Sequence, residues 1–381
     1  MIIGIVKETR PGETRVAFNP ETAQKWVEKG AEVRVETKAG LPSYFTDEAY
    51  IEAGCIIADD AVTGSDIVLK INKPTADELS RMKAGAIFAA FLWPAQNRDL
   101  VEQLKEKNIT ALGMESVPRI SRAQKMDALS SMGSIAGYKS VLIAADALAK
   151  YMPMLMTAAG TIAPAKVLIL GAGVAGLQAI ATAKRLGAVV EAFDVRSSVK
   201  EQVESLGATF VDVPLAEEDQ QAETETAGGY AKELSEASKK LQEEAIQERV
   251  MRSDIVITTA LIPGKKAPVL VRASAVEGMK PGSVIVDLAA EQGGNCELTK
   301  PDELVEVNNV RIFGPTNITA ALPLHASQLY ARNVSNLLEL LINGENMTIT
   351  LDFEDEVVKS STVTHQGEVI SPFVRAQLGL V

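Results

Sequence analysis

Residues 166–196, KVLILGAGVAGLQAIATAKRLGAVVEAFDVR, decide the fold of this chain. An apolar run stops at Gly171, and helical spacing of apolar residues begins at residue 175. Gly171, Gly173 and Gly176 lie on the turn between them in the order G-x-G-x-x-G. Such glycines allow a tight turn and a close approach of the backbone to a pyrophosphate, whose charge a helix N-terminus favours. The stretch therefore predicts a Rossmann βαβ unit with a dinucleotide site; the alternative is a turn that is only well packed.

An acidic residue follows the second strand of this unit. The strand predicted over residues 188–193 ends at Asp194, eighteen residues after Gly176. A carboxylate there accepts hydrogen bonds from the adenosine ribose hydroxyls and repels a 2′-phosphate, which favours NAD over NADP, although the nearby Arg196 leaves NADP open. Further nucleotide contacts are predicted at the turn, beside the acid and at the end of a later strand: Val174, Val195, Arg196, Ala260 and Leu261.

The composition is typical of a soluble α/β protein. Of the 381 residues, 46% are hydrophobic and 23% are charged. The net charge of −12 disfavours binding to phosphate backbones and anionic lipid, and an aromatic content of 4% disfavours base-stacking platforms for nucleic acid. Two cysteines, no apparent signal peptide and no apolar run of spanning length predict a reducing, cytoplasmic compartment.

Strand and helix patterns alternate along the chain, which predicts parallel, doubly wound sheets. We expect two Rossmann-like α/β domains with a cleft between them. The first comprises residues 1–125 with a C-terminal return over 326–381, and the NAD-binding domain comprises residues 126–325. Helices over residues 127–150 and 326–342 would carry the chain from one domain to the other.

Three other stretches give expectations that the structure can test. The hydrophobic connector over residues 152–165, MPMLMTAAGTIAPA, is predicted to pack in the core. Short strands are predicted near residues 347–353. Arg10 and Arg15, on a polar loop after the first strand, could bind an anion, but solvated or ion-paired arginines are the more common outcome.

Positive and polar residues are concentrated just before the first connecting helix. In VPRISRAQKMDALSSMGSIAGY, residues 117–138, three positive side chains alternate with uncharged and acidic ones: Arg119, Ser121, Arg122, Gln124, Lys125 and Asp127. The plain interpretation is a polar helix cap with Asp127 or Ser121 as the N-cap. From composition alone, that interpretation is favoured over a binding segment.

A long acidic insertion follows the strand predicted over residues 209–213. Residues 214–247 are acidic and polar, and their centre contains Gly228, Gly229 and Tyr230. Glycine hinges beside a single aromatic ring predict a mobile lid, at about residues 214–232, that covers a planar ligand. A surface loop without function is the alternative.

The inventory of acid, base and nucleophilic motifs is small. His325 and His365 lack the spacing of a metal site or a catalytic triad, and no hydrolase or metal motif occurs, so no metal is expected. A dinucleotide site without an obvious acid or base calls for a reaction that needs neither.

Several stretches resemble the NAD(H)-binding domain I, or alpha subunit, of proton-translocating nicotinamide nucleotide transhydrogenase. They are ETRVAFNPET, FLWPAQN, VPRISRAQ, MDALSSM, IAGY, GAGVAGLQAIATAKRLGA, KEQVESLGA, TAGGYAKE, TTALIPGK and GSVIVDLAAEQGGNC. The resemblance implies Si-Re specific hydride exchange between NAD(H) here and NADP(H) on a partner domain, coupled to proton movement through a membrane domain. It also implies a homodimer on the cytoplasmic face of the inner membrane. Whether the chain is a separate α1 subunit or a portion of a longer α subunit stays open.

The resemblance also assigns roles to residues of the polar segment. It implies that Arg119, Gln124 and Asp127, with Ser130 beyond them, contact the nicotinamide end, with Lys125 and Met126 beside them. It implies that Gly229 and Tyr230 close over the nucleotide and that Asp194 holds the ribose. The residues predicted to act in catalysis are Gln124, Arg119, Asp127 and Tyr230.

Alanine dehydrogenase, a relative with the same overall pattern, is the competing enzyme. That family has a catalytic lysine and, twenty-one residues later, a histidine. Alignment through KINKP and FLWPAQN puts Asn72 and Trp93 at these places, and neither acts as an acid, a base or a charged anchor. A non-catalytic NAD-binding regulator is the second alternative.

Overall fold

The computed structural model describes residues 1–213, 235–261, 266–344 and 346–380. The chain forms two compact units, Met1–Met132 with Thr319–Val381, and Gly133–Ile318. It passes from the first unit to the second inside one long helix and returns just before another.

The predicted lid, with Gly228, Gly229 and Tyr230, lies outside the described residues. Ala260 and Leu261 are described, but residues 262–265, which follow them, also lie outside the described residues. These expectations therefore stay predictions.

The strands of the described residues are short. In chain order they are β1 (Ile2–Ile5), β2 (Glu32–Glu36), β3 (Ile56–Ala58), β4 (Ile67–Leu69), β5 (Ile87–Ala90), β6 (Thr110–Gly113), β7 (Leu155–Thr157), β8 (Gly160–Ile162), β9 (Lys166–Leu170), β10 (Val189–Phe193), β11 (Thr209–Phe210), β12 (Ile255–Thr258), β13 (Val284–Asp287), β14 (Leu304–Val307), β15 (Val310–Phe313), β16 (Thr362–His365) and β17 (Glu368–Val369). β4, β5, β12 and β13 are buried along their whole length, as in sheets covered on both faces.

Helices alternate with these strands and are in several cases capped by side chains. They are α1 (Pro20–Glu28), α2 (Asp47–Glu52), α3 (Ala76–Arg81), α4 (Arg98–Glu106), α5 (Ala128–Ala147), α6 (Val174–Arg185), α7 (Lys200–Ser205), α8 (Glu236–Arg252), α9 (Ala273–Glu277), α10 (Pro323–Leu341), α11 (Glu356–Ser361) and α12 (Pro372–Leu378). α3 has a capping box between Thr75 and Glu78. None of the helices that the structure describes combines the length and apolarity needed to cross a lipid bilayer.

The first unit is built on an eight-stranded sheet in the order β17-β16-β6-β5-β4-β1-β2-β3. Strands β1 to β6 pair in parallel, and the C-terminal β16 and β17 add an antiparallel edge beside β6. The return of the chain to this unit therefore completes its sheet. The predicted strands near residues 347–353 are wrong: the described residues there contribute an isolated bridge between Ile342 and Ile349, and the strands come later.

The second unit is built on a seven-stranded sheet in the order β11-β10-β9-β12-β13-β15-β14. Its pairs are parallel except for β14 with β15. The strand order reverses between β9 and β12, and ligands of such sheets bind at the carboxyl ends of the strands at this point. The predicted fold class, two doubly wound α/β domains of Rossmann type, is confirmed.

The hydrophobic connector before β9 does not lie in the core as predicted. Residues of this stretch form the two-stranded antiparallel hairpin β7–β8. Met152 is buried, but Met154 and Met156 are 56% and 78% exposed, and Ile162 is 40% exposed. Successive side chains of a strand point to opposite faces. Because the hairpin pairs with neither large sheet, these side chains stay exposed.

A close backbone contact joins α5 to α6 in the second unit. An ideal Cβ on Gly137 would lie 2.0 Å from the carbonyl oxygen of Ala175, closer than any real side chain approaches. Gly137 is therefore required by packing. On the same helix, a Cβ on Gly133 would have its nearest neighbours at 3.8 Å, which is an ordinary contact.

Replacing Gly137 by alanine should destabilise the second unit by about 2 kcal/mol or more, because the methyl group forces the helices apart. Gly133→Ala is the matched control and should stabilise by about 0.5–1 kcal/mol, the usual gain of alanine over glycine in a helix. Urea unfolding of both variants measures the two free energies. Equal values would contradict the proposed contact.

Candidate functional site

The three glycines of the turn between β9 and α6 have three different environments. Gly171 has a φ of +100°, which favours glycine. A Cβ on Gly176 would lie 1.9 Å from the carbonyl oxygen of Gly171, so this residue is fixed by packing. Gly173 caps α6 with an ordinary φ of −73°, and the nearest atom to its Cβ would be Nη2 of Arg196 at 4.0 Å.

Neither conformation nor packing requires glycine at position 173. The missing side chain leaves open space before the N-terminus of α6, where the first backbone N–H groups of a helix lack partners within the helix. This is the cradle that a phosphate group would occupy. The residues present therefore fit the dinucleotide that the sequence predicts.

Asp194 lies beside this turn and is tied to it. Its Oδ2 accepts hydrogen bonds from the backbone N–H of Ala172 at 2.7 Å and from Nη2 of Arg196 at 2.9 Å. Its Oδ1 accepts from the backbone N–H and Nε of Arg196, both at 2.9 Å. Both side chains are largely buried. A ribose hydroxyl that binds Asp194 must share or displace the Arg196 guanidinium, a competition that the sequence alone does not predict.

A second carboxylate organises the neighbouring strand ends. Asp287, at the end of β13, is fully buried. Its oxygens accept from the hydroxyls of Thr258 and Thr299 and from the backbone N–H groups of Ala289, Asn295 and Cys296, at 2.8–3.0 Å. Sequence reasoning missed this residue; the signal available was an acid at the end of a fully apolar strand.

Asn295 connects Asp287 to the residues that follow β12. Its Oδ1 accepts from the backbone N–H of Ala260 at 3.0 Å, and its Nδ2 donates to the Ala260 carbonyl at 2.9 Å. Thr259 donates through its hydroxyl to the Gly171 carbonyl at 3.0 Å. The structure thus brings the predicted contacts of the second unit to one edge of its sheet: Gly171, Gly173, Val174, Gly176, Asp194, Val195, Arg196, Ala260 and Leu261.

The predicted contacts of the first unit lie on the polar segment before α5, which forms a 3₁₀ helix over Ser121–Met126, except for Ser130, which lies in the first turn of α5. Ala123 and Met126 are buried, whereas Arg119, Gln124 and Lys125 are exposed. Met126 is 2% exposed as a whole residue, so little of it is accessible to a ligand. Gln124 extends from a helix anchored on both sides by buried residues.

Asp127 caps α5. Its Oδ1 accepts from the backbone N–H of Ser130 at 2.8 Å and its Oδ2 from the Ser130 hydroxyl at 2.5 Å. The predicted N-cap role of Asp127 is thereby confirmed, and the alternative is wrong, since Ser121 is the first residue of the 3₁₀ helix. Any contact of Asp127 with a ligand comes in addition to this cap.

A buried polar centre surrounds Asn72 in the first unit. Arg15 is 6% exposed and binds Glu13 through Nε–Oε1 at 2.7 Å and Nη2–Oε2 at 2.6 Å, so the ion-paired interpretation of Arg15 is confirmed. Nδ2 of Asn72 donates to Glu13 Oε2 and to Glu8 Oε2, both at 3.0 Å. Burial alone would raise the pKa of Glu13, but the hydrogen bonds and charge of Arg15 outweigh it and hold that pKa at about 2.

Trp93 is held by a different carboxylate. Its φ is +50°, and its backbone N–H and that of Leu92 donate to Glu115 at 2.9 and 3.0 Å. Burial raises the pKa of Glu115 to about 7. The Trp93 ring stacks on Phe91 with centroids 5.8 Å apart. Neither Asn72 nor Trp93 offers an ionisable group at the places where alanine dehydrogenases have lysine and histidine.

Comparison with known proteins agrees with this geometry. The family descriptions "Alanine dehydrogenase/PNT, N-terminal domain" and "C-terminal domain" match residues 4–136 and 140–372. The chain is 48% identical to an NAD(P) transhydrogenase alpha subunit of Rhodospirillum rubrum, over 99% of this chain and all of that protein. It is 46% identical to the subunit alpha of Haemophilus influenzae, over 98% of this chain and 72% of that one.

Alanine dehydrogenases are more distant in sequence but similar in fold. Alanine dehydrogenase 1 of Staphylococcus aureus is 29% identical over 97% of this chain and 94% of its own. Among solved structures, a transhydrogenase from Sinorhizobium meliloti has a TM-score of 0.84 at 40% identity, over 98% of this chain and all of that one. An L-alanine dehydrogenase has a TM-score of 0.81 at 28% identity, over 100% and 99%.

The sequence identity is higher to transhydrogenase alpha subunits than to alanine dehydrogenases, which share the fold. The non-ionisable Asn72 and Trp93 agree with this difference. The chain belongs to the alanine dehydrogenase/PNT family, and its high similarity to transhydrogenase alpha subunits supports an NAD(H)-binding component of a transhydrogenase over an alanine dehydrogenase.

Proposed function

We propose that this chain binds NAD(H) and exchanges hydride with NADP(H) held by a partner subunit, with Si-Re stereospecificity. The observation that carries the proposal is the open Gly173 at the N-terminus of α6, beside Asp194, in a relative of transhydrogenase alpha subunits. When bound, the reduced nicotinamide supplies a hydride that leaves its C4 with two electrons and bonds to C4 of the other ring, so that NADH and NADP⁺ become NAD⁺ and NADPH.

Each unit contributes its own residues to this role. In the second unit, the backbone N–H groups at the start of α6 would hold the pyrophosphate and Asp194 the adenosine ribose. Val174, Val195, Arg196, Ala260 and Leu261 would contact the nucleotide around them. In the first unit, Arg119, Gln124 and Asp127 would hold the nicotinamide end, with Lys125, Met126 and Ser130 beside them. Gly229 and Tyr230 remain the predicted lid.

No residue of the proposed machinery is given the role of a general acid or base, and this fits the reaction. Hydride exchange between two nicotinamides leaves the proton count unchanged, so the protein has to orient two rings and exclude water. Gln124 suits the task, because a neutral amide offers a donor and an acceptor and tolerates both the oxidised and the reduced ring. Its exposure leaves it accessible to a ligand.

The two alternatives make different demands. An alanine dehydrogenase must move protons as well as hydride, and Asn72 lies between two carboxylates as a donor while Trp93 has no ionisable group. A non-catalytic regulator would bind NAD(H) and transfer nothing. A measurement of hydride transfer with the partner separates these alternatives from our proposal.

We also propose a homodimer within a membrane-associated complex. The hairpin β7–β8 exposes Met154, Met156 and Ile162, and a two-stranded hairpin is marginally stable unless something covers it. A second copy of the chain is the occupant that the family resemblance implies. The complex would lie at the cytoplasmic face of the inner membrane, where a membrane domain on another subunit couples transfer to proton movement.

The first prediction concerns nucleotide choice. NADH should bind roughly tenfold more tightly than NADPH or better, because Asp194 accepts from a ribose hydroxyl and repels a 2′-phosphate. Asp194→Asn should weaken NADH binding and reduce this preference. Arg196→Gln should increase the preference, because it removes the positive charge that now compensates Asp194. Titration calorimetry gives the six dissociation constants, and equal affinities of the unaltered chain for both nucleotides would contradict the assignment.

The second prediction concerns transfer. With an NADP-binding partner, the chain should transfer hydride without incorporating solvent deuterium into the product, and it should form no NADH from alanine. Gln124→Asn should lower the single-turnover rate about tenfold or more through lost orientation, with NADH affinity within a few-fold. Gln103→Asn, on the exposed face of α4, is the control and should leave the transfer rate unchanged. Alanine-dependent NADH formation, or an unchanged rate in the Gln124 variant, would refute this mechanism.

The third prediction concerns assembly. Sedimentation should give twice the chain mass of 40.6 kDa. Replacing Met154 and Met156 by aspartate should yield monomers, because burying two carboxylates against apolar surface is unfavourable. Leu304→Asp alters a side chain that is 56% exposed elsewhere in the same unit and should leave the dimer intact. A monomeric unaltered chain at micromolar concentration would argue against the interface.

A further inference from the structure

The segment that carries Gln124 is held from outside by the C-terminal region of the first unit. We propose that Asp355 and Asn336 are positioning residues, which touch no nucleotide and set the rate of hydride transfer by fixing this segment. The inference rests on the proposed role of Gln124. It assigns a kinetic function to a region of the chain more than two hundred residues away in sequence.

Asp355 binds the segment through an ion pair with Arg122, which lies two residues before Gln124. Nη1 of Arg122 donates to Oδ2 of Asp355 at 2.8 Å, and Nη2 donates to Oδ1 at 2.7 Å. Such a two-pronged pair fixes orientation as well as distance. The hydrogen bond from Arg122 lowers the pKa of Asp355 below its usual range.

Asp355 is itself rigidly placed. Its Oδ1 also accepts from the backbone N–H groups of Val357 and Val358, which makes it the N-cap of α11. Both valines are buried in the unit. The carboxylate that holds Arg122 is therefore fixed to a packed helix and is not a mobile surface group.

Two asparagines of α10 hold the residue after Gln124. Nδ2 of Asn336 donates to the Lys125 carbonyl at 3.1 Å and to the Arg332 carbonyl at 2.7 Å. Nδ2 of Asn333 donates to the same Lys125 carbonyl at 3.0 Å. The backbone is thus fixed after Gln124 by one helix, and Arg122 is fixed before it by the cap of another.

The segment needs this support because a short 3₁₀ helix is intrinsically weak. Its own backbone bonds include Ala123 N–H to the Ile120 carbonyl at 3.0 Å and Asp127 N–H to the Gln124 carbonyl at 3.3 Å. An ion pair with one partner half exposed adds little to overall stability, so its main effect is on local geometry. Orientation is the quantity to which hydride transfer is most sensitive.

The test compares Asp355→Asn and Asn336→Leu with the unaltered chain. Asparagine retains the ability to cap α11 but removes the charge that holds Arg122. Leucine is tolerated in a helix and removes one of the two amide donors to the Lys125 carbonyl, leaving that of Asn333. The matched control is Glu339→Gln, also on α10, which breaks the 2.6 Å ion pair with Lys29 and touches α1 instead of the segment.

Four quantities are measured for each variant. Hydrogen exchange of the amides of residues 119–127, without nucleotide, should become several-fold faster in the two test variants and stay unchanged in the control. The NADH dissociation constant and Tm should stay close to those of the unaltered chain. The single-turnover transfer rate at saturating NADH should fall about five- to tenfold. Arg122→Lys, which retains the charge but not the two-pronged geometry, should give an intermediate rate.

Unchanged exchange or an unchanged transfer rate in both test variants would overturn the inference. So would faster exchange throughout the unit with a lower Tm, because the pair would then be structural only. The Gln124→Asn result separates this failure from that of the proposed function. If Gln124→Asn slows transfer and Asp355→Asn does not, the positioning role is wrong and the proposed function stands; if neither slows it, the role of Gln124 is wrong as well.

Discussion

The binding edge of the second unit depends on one steric constraint, the approach of the Gly176 backbone to the carbonyl of Gly171. A Cβ added to Gly176 would lie 1.9 Å from the carbonyl oxygen of Gly171. A Cβ added to Gly137 would lie 2.0 Å from the carbonyl oxygen of Ala175. These contacts set α6 against β9 and α5 against α6 before any functional side chain is considered. The N-terminus of α6 is then directed to open space at Gly173, so the space in which we propose a phosphate is a consequence of backbone packing.

Two carboxylates, Asp194 and Asp287, fix the strand ends at this edge of the sheet. Asp194 joins the end of β10 to the glycine-rich turn through the backbone N–H of Ala172, and Asp287 joins the end of β13 to β12 through Asn295. Polar groups that are satisfied by the chain itself are held in place before a ligand arrives, which reduces the ordering required on binding. The exception is Arg196, which donates to the Asp194 oxygens that a ribose would use, so a ribose bound there would have to share or displace it.

The sequence predicted what depends on neighbours along the chain, and it failed where distant residues meet. The glycine spacing, the strand before it and the acid after it lie within thirty residues, and the Rossmann fold followed from them. The cap role of Asp127 also has a local cause, its bond to Ser130 three residues on. The pairing of Arg122 with Asp355 spans 233 residues, and no local pattern indicates it. The core position expected for Met156 was wrong, because apolar character alone does not determine which side chains the fold buries.

The first unit shows why one fold serves two chemistries. Its buried acids are already engaged: Glu13 by Arg15 and Asn72, Glu8 by Asn72 and backbone N–H groups, and Glu115 by the backbone of Leu92 and Trp93. These carboxylates accept hydrogen bonds from neighbouring residues and so hold them in place. With Asn72 and Trp93 at the two places where a relative has ionisable groups, the centre becomes structural. The hydride exchange that we propose needs no proton transfer, so the orientation that a rigid scaffold supplies is its main requirement.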